Sequence, residues 1–544
     1  MSARNPLDRL RLQVQWNRLL SIVEEQSQVL MRTAFNPTVR ECGDLSAGFF
    51  TPDGRMMAQS VTGTPGHVNS MAMAVGHFLA RYPASTLRDG DILITNDPWE
   101  GTGHLNDFTV VTPVFGSGRL VGHFACTSHF TDVGGLGFVA DGRDVFMEGT
   151  RIPIQKLYRS GHLVDALMET IKANTRLPRE TEGDIYALVA CNAVGARRLG
   201  EMMDELRMED CAVLADYIFR SSREAVQAEI RKLAPGTYRN RMRIDGFDEP
   251  IDLVAALTVS EDRIEVDYDG TSGLSKRGIN VPLAYTAAYT CFGLSCAIAP
   301  HVPNNAGSLG AYRVSAPANS ILNALFPAPV AARHVVGQML PDVVFGCLAG
   351  LMPDRVPAEG TSCSWAITVK GPNTDPDADG AFFMAGGIMN GGTGARPIRD
   401  GLSATAFPSG VRSTPIEIVE TTGPVLFWRK QYRADSGGAG RHRGGDGLEI
   451  EFEVTNGLPF EVRPNLDRIR HPPRGRAGGQ PGRTGFLGTA SGRILKGMGA
   501  QSIDAGERIV MKTPGGGGHG NPAERDPDAV RRDLADGLID GWSF

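Results

Sequence analysis

Residues 104–135 read HLNDFTVVTPVFGSGRLVGHFACTSHFTDVGG, and their pattern predicts a β-hairpin. Two largely apolar runs, at 108–115 and 120–127, carry the β-branched and aromatic residues that strands favour. The turn sequence Gly-Ser-Gly at 116–118 lies between them and can reverse the chain. We therefore expect the two runs to pair in antiparallel fashion.

The open end of this hairpin carries side chains that bind metals. With the pair centred on the middle of the turn, Asp107 lies opposite about Thr127, and Leu105 lies opposite about His129. His129 then returns beside His104 and Asp107. Two imidazoles and a carboxylate suit Zn, Mn or Fe(II), so the sequence predicts a metal site here.

A catalytic metal site needs a fourth protein or water ligand and an open position. Asp44, in Cys-Gly-Asp-Leu-Ser, is the best candidate, because it precedes a predicted strand among apolar residues. Polar residues can also meet at the ends of a hairpin by chance, in which case no metal binds. His67 precedes a predicted helix and can point either into a cleft or into solvent.

The bulk composition excludes several classes of protein. The chain has 544 residues, 41% hydrophobic and 21% charged, with a net charge of −6. No Lys/Arg stripe with interleaved aromatic residues is present, which argues against nucleic-acid binding. Eight cysteines without a CxxC pair fit a reducing cytoplasm rather than a disulfide framework. The N-terminus does not resemble a signal peptide. The longest apolar stretch, 283–299, predicts a buried helix and not a membrane span.

We expect an α+β fold with mixed sheets, a long N-terminal helix, the metal-site hairpin and a glycine-rich, β-containing C-terminal region. The predicted domains are a metal-binding catalytic domain at 1–235, a middle α+β domain at 236–380 and a C-terminal domain at 381–544. The other predicted helices and strands are helices at 6–34, 68–81, 163–173, 180–232, 283–299, 331–351 and 526–536, and strands at 45–50, 55–58, 91–95, 238–244, 264–268, 447–454, 460–462 and 508–512.

Two glycine clusters, at 437–440 and 515–518, do not match a nucleotide-binding loop. Neither is followed by Lys-Ser/Thr and a helix, so they predict backbone turns with positive φ instead. No Gly-x-Ser-x-Gly elbow lies at a strand-to-helix junction, which argues against a serine nucleophile. The chain shows no recognisable place for ATP.

Short motifs occur along the whole chain in one order. They are Asn96-Asp97-Pro98, Gly103-His104-Leu105-Asn106-Asp107, Ser128-His129-Phe130-Thr131-Asp132-Val133-Gly134-Gly135, Glu148-Gly149-Thr150-Arg151-Ile152-Pro153, Gly278-Ile279-Asn280-Val281-Pro282, Pro303-Asn304-Asn305, Asp435-Ser436-Gly437-Gly438-Ala439-Gly440, and the 515–518 run with Asn521-Pro522. With these motifs the sequence resembles the hydantoinase B/oxoprolinase family. That family includes the B subunits of N-methylhydantoinase and caprolactamase, the C-terminal part of 5-oxoprolinase, and a subunit of acetone and acetophenone carboxylases.

The resemblance implies a division of labour. Asp44, His104, Asp107 and His129 would hold one divalent metal ion, with Zn or Mn favoured over Fe. A hydantoinase A-type partner would bind ATP and phosphorylate the amide or ketone oxygen, in a cytoplasmic α2β2 or larger hetero-oligomer without membrane or nucleic acid. One departure is that the family motif Gly-Gly-Thr-His-Leu-Pro-Asp is written here as Gly-Thr-Gly-His-Leu-Asn-Asp, which leaves the substrate open.

Three functions remain open on the sequence. The first is ATP-dependent ring opening of a cyclic amide such as a hydantoin, 5-oxoproline or another lactam, with His67 or Asp132 as the proton shuttle. The second is ATP-dependent carboxylation of a ketone by the same scaffold. The third is a non-catalytic scaffold subunit whose metal only holds the hairpin together.

Overall fold

The computed structural model describes residues 6–374 and 381–541. Its helices are α1 Pro6–Thr33, α2 Pro37–Arg40, α3 Pro65–Arg81, α4 Val145–Glu148, α5 Asp165–Ala173, α6 Pro178–Glu205, α7 Ala212–Ile230, α8 Leu283–Ile298, α9 Ala306–Leu309, α10 His334–Gly337, α11 Leu340–Leu348, α12 Ile416–Thr421 and α13 Pro527–Ala535. Its strands are β1 Leu45–Phe50, β2 Met56–Gln59, β3 Ile92–Thr95, β4 Asp107–Gly116, β5 Arg119–His129, β6 Gln155–Arg159, β7 His162–Leu163, β8 Gly236–Ile244, β9 Ile251–Val259, β10 Ile264–Asp267, β11 Tyr312–Ser315, β12 Trp365–Pro372, β13 Phe382–Met389, β14 Val425–Tyr432, β15 Leu448–Val454, β16 Phe460–Asn465, β17 Phe486–Thr489, β18 Gln501–Ile503 and β19 Arg508–Lys512. The α+β fold with several sheets confirms the predicted fold class.

The predicted hairpin forms the centre of a seven-stranded sheet, in the order β2-β1-β5-β4-β3-β6-β7. Side chains alternate between its two faces, as strand geometry requires. Phe49 and Phe124 pack on one face with α1 and α6, whereas Phe50 and Ala125 pack on the other with α3. Because helices cover both faces, β1 and most of β4 and β5 are buried along their length.

The pairing within the hairpin differs from the predicted register by two residues. Asp107 pairs directly with His129 rather than with Thr127. The turn contains only Ser117 and Gly118, with φ of 49° and 77°, and a bulge adds one residue to β5 near Val121. Each accounts for one residue of the difference. A shift of two keeps every side chain on its face, so the predicted group still meets.

Several other predicted elements needed correction. The helix predicted at 180–232 is two helices, α6 and α7, because the chain reverses at Arg207, whose φ is 51°. The helix predicted at 331–351 is likewise divided into α10 and α11. The apolar stretch at 283–299 forms α8, which is mostly buried, as expected. The sequence Asn5-Pro6-Leu7 also predicts an N-cap for α1, but Asn5 lies outside the described residues.

Three four-stranded sheets follow the first, in the orders β11-β10-β9-β8, β13-β12-β16-β18 and β14-β15-β19-β17. Seven strands of these sheets were not predicted from the sequence: β9, β11, β12, β13, β14, β17 and β18. Strand β12 belongs to the predicted middle domain but pairs with β13 and β16 of the predicted C-terminal domain. The domain boundaries at 235 and 380 stay a prediction.

The glycine clusters form closely packed irregular segments and do not have the predicted positive φ. Residues 515–518 do not have positive φ, contrary to the prediction. Their backbone instead contacts other glycine-rich segments: the Gly438 N–H donates to the Gly516 carbonyl at 2.8 Å. A Cβ on Gly516 would lie 1.9 Å from the Thr393 carbonyl oxygen. These positions need glycine because neighbouring backbones leave no room for a side chain.

Within the described residues, all eight cysteines are free thiols. No helix in that part of the chain is long and apolar enough to cross a membrane.

Candidate metal centre

The open end of the hairpin brings three of the four predicted ligands together. His104, Asp107 and His129 are buried, and one potential ligand atom from each lies within 4.8 Å of the others. Asp107 begins β4 and His129 ends β5, so direct pairing of the strands fixes their side chains next to each other. His104 lies in the preceding loop, whose bend at Gly103 has a φ of 104°.

Distances in this group fit ligands that surround a common cation. The Asp107 Oδ1 atom lies 2.7 Å from His104 Nε2 and 3.3 Å from His129 Nδ1. Two ligands of a tetrahedral zinc ion with bonds of 2.0–2.1 Å are roughly 3.3 Å apart. The three atoms therefore need only small shifts to share one ion.

The orientation of the His104 ring supports a cation more directly. His104 Nδ1 lies 2.8 Å from the Ala331 carbonyl oxygen, which requires that Nδ1 carry the proton. Nε2 then presents a lone pair, and it has no hydrogen-bond partner although it is buried. A lone pair and a carboxylate oxygen only 2.7 Å apart repel unless positive charge lies beside them. This donor set, with a backbone carbonyl fixing the ring, is typical of metal-binding histidines.

The ionisation states agree with that arrangement. Burial, together with the charge of Arg333, lowers the pKa of His104 to about 3, so its ring is neutral at physiological pH. Burial alone would favour a protonated Asp107, but His104, His67 and Arg333 outweigh it and hold the pKa of Asp107 well below its usual range. The group therefore offers a neutral imidazole and an ionised carboxylate, the forms that bind metals.

The second oxygen of Asp107 is held by three neighbours. Oδ2 accepts hydrogen bonds from Arg333 Nη2 at 2.5 Å and Thr102 Oγ1 at 3.0 Å, and it lies 2.8 Å from His67 Nε2. These contacts fix the carboxylate with Oδ1 directed toward the two histidines. These neighbours therefore fix the orientation of the Asp107 carboxylate.

Asp44 lies near this group but is not among the three closely spaced residues. Its carboxylate is 3.6 Å from His67 Nδ1, a buried atom without a hydrogen-bond partner. Its carbonyl accepts a hydrogen bond from the His129 N–H at 3.2 Å, which ties β1 to the end of the hairpin. Asp44 as fourth ligand stays a prediction.

The two candidate proton shuttles have different positions. His67 lies in the first turn of α3 and contacts both aspartates of the site. Asp132 is buried away from this group, where it pairs with Arg176 and accepts a hydrogen bond from Thr175 Oγ1 at 3.0 Å. Its contacts are those of a carboxylate that anchors a loop.

A cavity of about 680 Å³ opens beside the group. Its polar end includes Asp44, His67, His104 and His129. An apolar part of its lining comes from the stretch at 364–422, with residues Ile367, Phe383, Ala385, Val411, Ile418 and Val419. Asp132 is not among the described residues that line it.

Several residues of the cavity come from the middle of the chain and were not predicted from the sequence. Tyr285, Arg333, His334 and Gln338 line the polar end of the cavity. His334 stacks on Phe138 with ring centroids 5.3 Å apart. The adjacent charged and imidazole side chains in Ala-Ala-Arg-His at 331–334 were the available signal, since such residues rarely interrupt an apolar helical segment without a partner.

Comparison with known proteins decides the family. The family model for hydantoinase B/oxoprolinase matches residues 8–522 of the chain. The chain belongs to the hydantoinase B/oxoprolinase family. This confirms the resemblance inferred from its motifs.

Two relatives of this hydantoinase B/oxoprolinase chain show which kinds of enzyme resemble it. Caprolactamase subunit beta of Pseudomonas jessenii is 26% identical, with 98% of this chain and 94% of the relative covered. The 5-oxoprolinase 1 of Arabidopsis thaliana is 30% identical over 95% of this chain, but the match covers only 42% of that larger protein.

Solved structures share the fold. The crystal structure of the ATP-dependent caprolactamase from Pseudomonas jessenii superposes with a TM-score of 0.86 at 25% identity, covering 98% of this chain and 95% of that one. A nucleotide-free acetone carboxylase chain superposes with a TM-score of 0.83 at 20% identity, covering 98% and 79%. The second likeness shows the fold alone.

Proposed function

We propose that this chain is the metal-dependent subunit of an ATP-dependent cyclic amidase. The observation that carries the proposal is the buried group of His104, Asp107 and His129 beside the cavity, with one potential ligand atom from each within 4.8 Å of the others. The similarity to caprolactamase and 5-oxoprolinase supports a cyclic amide such as a lactam or hydantoin as the substrate.

Some residues of the chain would bind the metal ion, and others would orient those ligands. Asp44, His104, Asp107 and His129 would hold one Zn or Mn ion. Such an ion would lower the pKa of water toward neutrality and polarise the reacting carbon. Arg333 and Thr102 keep Asp107 in place. The apolar wall excludes bulk water from the reacting group.

Ring opening also needs a proton at the leaving nitrogen. Water adds to the activated carbon, the ring C–N bond breaks, and the nitrogen takes up the two protons of that water, which leaves an acyl phosphate. A second water then hydrolyses the acyl phosphate to the carboxylate and orthophosphate. His67 is the better placed of the two candidates, because its imidazole lines the cavity between the two aspartates. Asp132 has no such access among the described contacts.

Activation by ATP would take place on another chain. No Walker-type loop is present in the sequence, and the glycine clusters pack against backbone. A hydantoinase A-type partner would bind ATP and phosphorylate the substrate oxygen, in a hetero-oligomer with this chain. The caprolactamase relative is itself a beta subunit, which agrees with a multi-subunit enzyme.

The experiment combines the purified chain with its hydantoinase A-type partner, ATP and a panel of hydantoin, 5-oxoproline and caprolactam. We expect ring-opened product and ATP-dependent phosphate release without bicarbonate. Product that forms from a ketone only when bicarbonate is added would overturn the amidase proposal in favour of a carboxylase. If neither product forms, the remaining function is that of a non-catalytic scaffold subunit.

The variant Asp107→Asn tests the metal site. We expect it to lose bound metal and turnover, because an amide is a poorer ligand than a carboxylate and disturbs the Arg333 contact. Metal content by mass spectrometry and melting temperature are the measurements. Asp91→Asn is the matched control, since Asp91 is buried and bonded to Lys156 at 2.6 Å outside the cavity. Retained metal and activity in Asp107→Asn would contradict the site, and unfolding of that variant alone would indicate a purely structural metal.

A further inference from the structure

Arg333 is an unusually constrained buried cation at the polar end of the cavity. Its side chain is 2% exposed. The guanidinium carbon lies 4.0 Å from the centre of the Tyr285 ring. On another side the chain turns at Gly103, where a Cβ would lie 2.6 Å from Arg333 Nε. The fold therefore leaves a slot for this guanidinium and holds it there.

Two of the three guanidinium nitrogens have fixed partners. Nε donates to the Thr102 carbonyl at 3.0 Å, and Nη2 donates to Asp107 Oδ2 at 2.5 Å. Nη1 has no hydrogen-bond partner among the described residues, and it is not one of the fully buried unpartnered atoms. Arg333 lines the cavity, and Nη1 is the guanidinium nitrogen for which the described residues supply no partner, so it is the nitrogen available to a ligand there.

The charge of the site favours an anion. Arg176, Arg333 and Lys370 line the cavity with three positive formal charges, and Asp44 and Glu180 line it with two negative ones. Asp107, which lies beside His104 and His129, adds a third negative charge, so a divalent cation bound there would leave a net positive charge. A low-dielectric cavity with net positive charge stabilises an anionic ligand more strongly than a neutral one.

We propose that Arg333 Nη1 binds the phosphoryl oxygens of a phosphate monoester, the activated form of the substrate, next to the metal site. The inference rests on the proposed function, because it assumes that the substrate arrives phosphorylated. Guanidinium groups bind phosphate through strong, directional hydrogen bonds. The stacking on Tyr285 and the bonds to Thr102 and Asp107 fix the donor before the ligand enters, so little entropy is lost on binding.

The test measures the dissociation constants of methyl phosphate and of orthophosphate by calorimetry, with metal supplied in excess. Arg333→Lys keeps the charge but loses the planar fork, and we expect it to weaken methyl phosphate binding about tenfold or more. Arg525→Lys is the matched control. Arg525 is also buried, but it pairs with Asp400 and Asp533 outside the cavity, so phosphate affinity should not change.

Unchanged methyl phosphate affinity in Arg333→Lys at equal metal content would overturn the proposal. A loss confined to orthophosphate would also overturn it, because Arg333 would then recognise only the released product. If Arg333→Lys does not keep its metal, Arg333→Ala with added methylguanidine replaces it. Methylguanidine should restore methyl phosphate binding and methylamine should not, and failure of that rescue would contradict the proposal.

These measurements need neither the partner nor a lactam. Arg333-dependent phosphate binding without amidase activity would leave the inference standing and refute the proposed function. Amidase activity together with phosphate binding that does not depend on Arg333 would support the proposed function and refute the inference.

Discussion

At the scale of single residues, Glu148 acts on the site through one backbone segment. Its Oε1 accepts hydrogen bonds from the Val330 and Ala331 N–H groups at 2.7 and 2.9 Å. The Ala331 carbonyl in turn accepts the His104 Nδ1–H at 2.8 Å. A Cβ on Gly278 would lie 2.8 Å from Oε1, so glycine there makes room for the carboxyl. Glu148 thereby positions the carbonyl that orients His104.

Glu148 also predicts a pH dependence of stability. Burial raises the pKa of Glu148 to about 8, above the ordinary value of 4.5, despite its two backbone hydrogen bonds. Folding therefore favours the protonated form, and the resulting stability is full below pH of about 4.5 and is lost as pH rises through about 8.

We expect Glu148→Gln, which cannot ionise, to gain stability relative to the unmodified protein as pH rises from 5 to 9, by on the order of 2 kcal/mol. Thermal unfolding of both proteins across that range is the measurement, and the difference between them isolates this group. Parallel curves would show that Glu148 stays ionised in the folded protein.

At the scale of elements, close strand contact beside the bulge of β5 positions the site. Gly122 in β5 lies against β1, where a Cβ would be 2.4 Å from the Phe50 carbonyl oxygen and 2.5 Å from the Phe49 ring. Only glycine lets β1 and β5 approach this closely. That contact holds β1, which Asp44 precedes, beside the strand that ends at His129.

We expect Gly122→Ala to lower the free energy of unfolding by about 1–3 kcal/mol, since the added methyl group overpacks the sheet. Gly200→Ala is the control, because Gly200 lies in α6 with nothing within 4 Å of an added Cβ. That helix position should gain about 0.5–1 kcal/mol. Denaturant unfolding of both variants is the measurement, and equal stability changes would contradict the packing argument.

The elements that could be predicted from sequence are those that form because of the residues within the segment itself. Helix periodicity predicted α1, a continuous apolar stretch predicted α8, and two apolar runs around a glycine turn predicted β4 and β5. The register of that hairpin could not be read to the residue, because the bulge at Val121 depends on twist and neighbouring strands. The prediction that Asp107 and His129 meet was still correct, because a register shift of two residues keeps each side chain on the same face of the sheet.

The rest of the site depends on contacts distant in sequence. Arg333 reaches Asp107 across 226 residues, and no local pattern encodes such a contact. The apolar wall from β12 and β13 was missed for the same reason. The glycine segments were misread as turns because positive φ and absence of space both select glycine, and the sequence alone does not distinguish them.

At the scale of the whole molecule, the glycine-rich segments join distant parts of the C-terminal region. The Gly517 N–H donates to the Glu359 carbonyl at 2.8 Å, and the Ala395 N–H donates to the Gly517 carbonyl at 2.8 Å. The run at 515–518 therefore contacts segments that are more than 100 residues apart from it, and it stabilises the region through backbone bonds rather than side chains.

We expect Gly516→Ala to destabilise the protein strongly, by about 3 kcal/mol or more, because its Cβ would be 1.9 Å from the backbone oxygen of Thr393 and cannot be relieved by a side-chain movement. Gly350→Ala is the control, since nothing lies within 4 Å of a Cβ there. Soluble yield and melting temperature are the measurements. A Gly516→Ala protein that melts like the control would show that these segments have room to separate.

The cavity takes its walls from stretches within residues 36–180, 285–338 and 364–422. No contiguous fragment can therefore enclose a ligand by itself. Fragments cut between these stretches would have to reassociate before any chamber exists, so recovery of ligand binding on mixing them would report assembly of the whole fold. Changes in substrate range can likewise arise in the third stretch while the metal-binding residues of the first stay untouched.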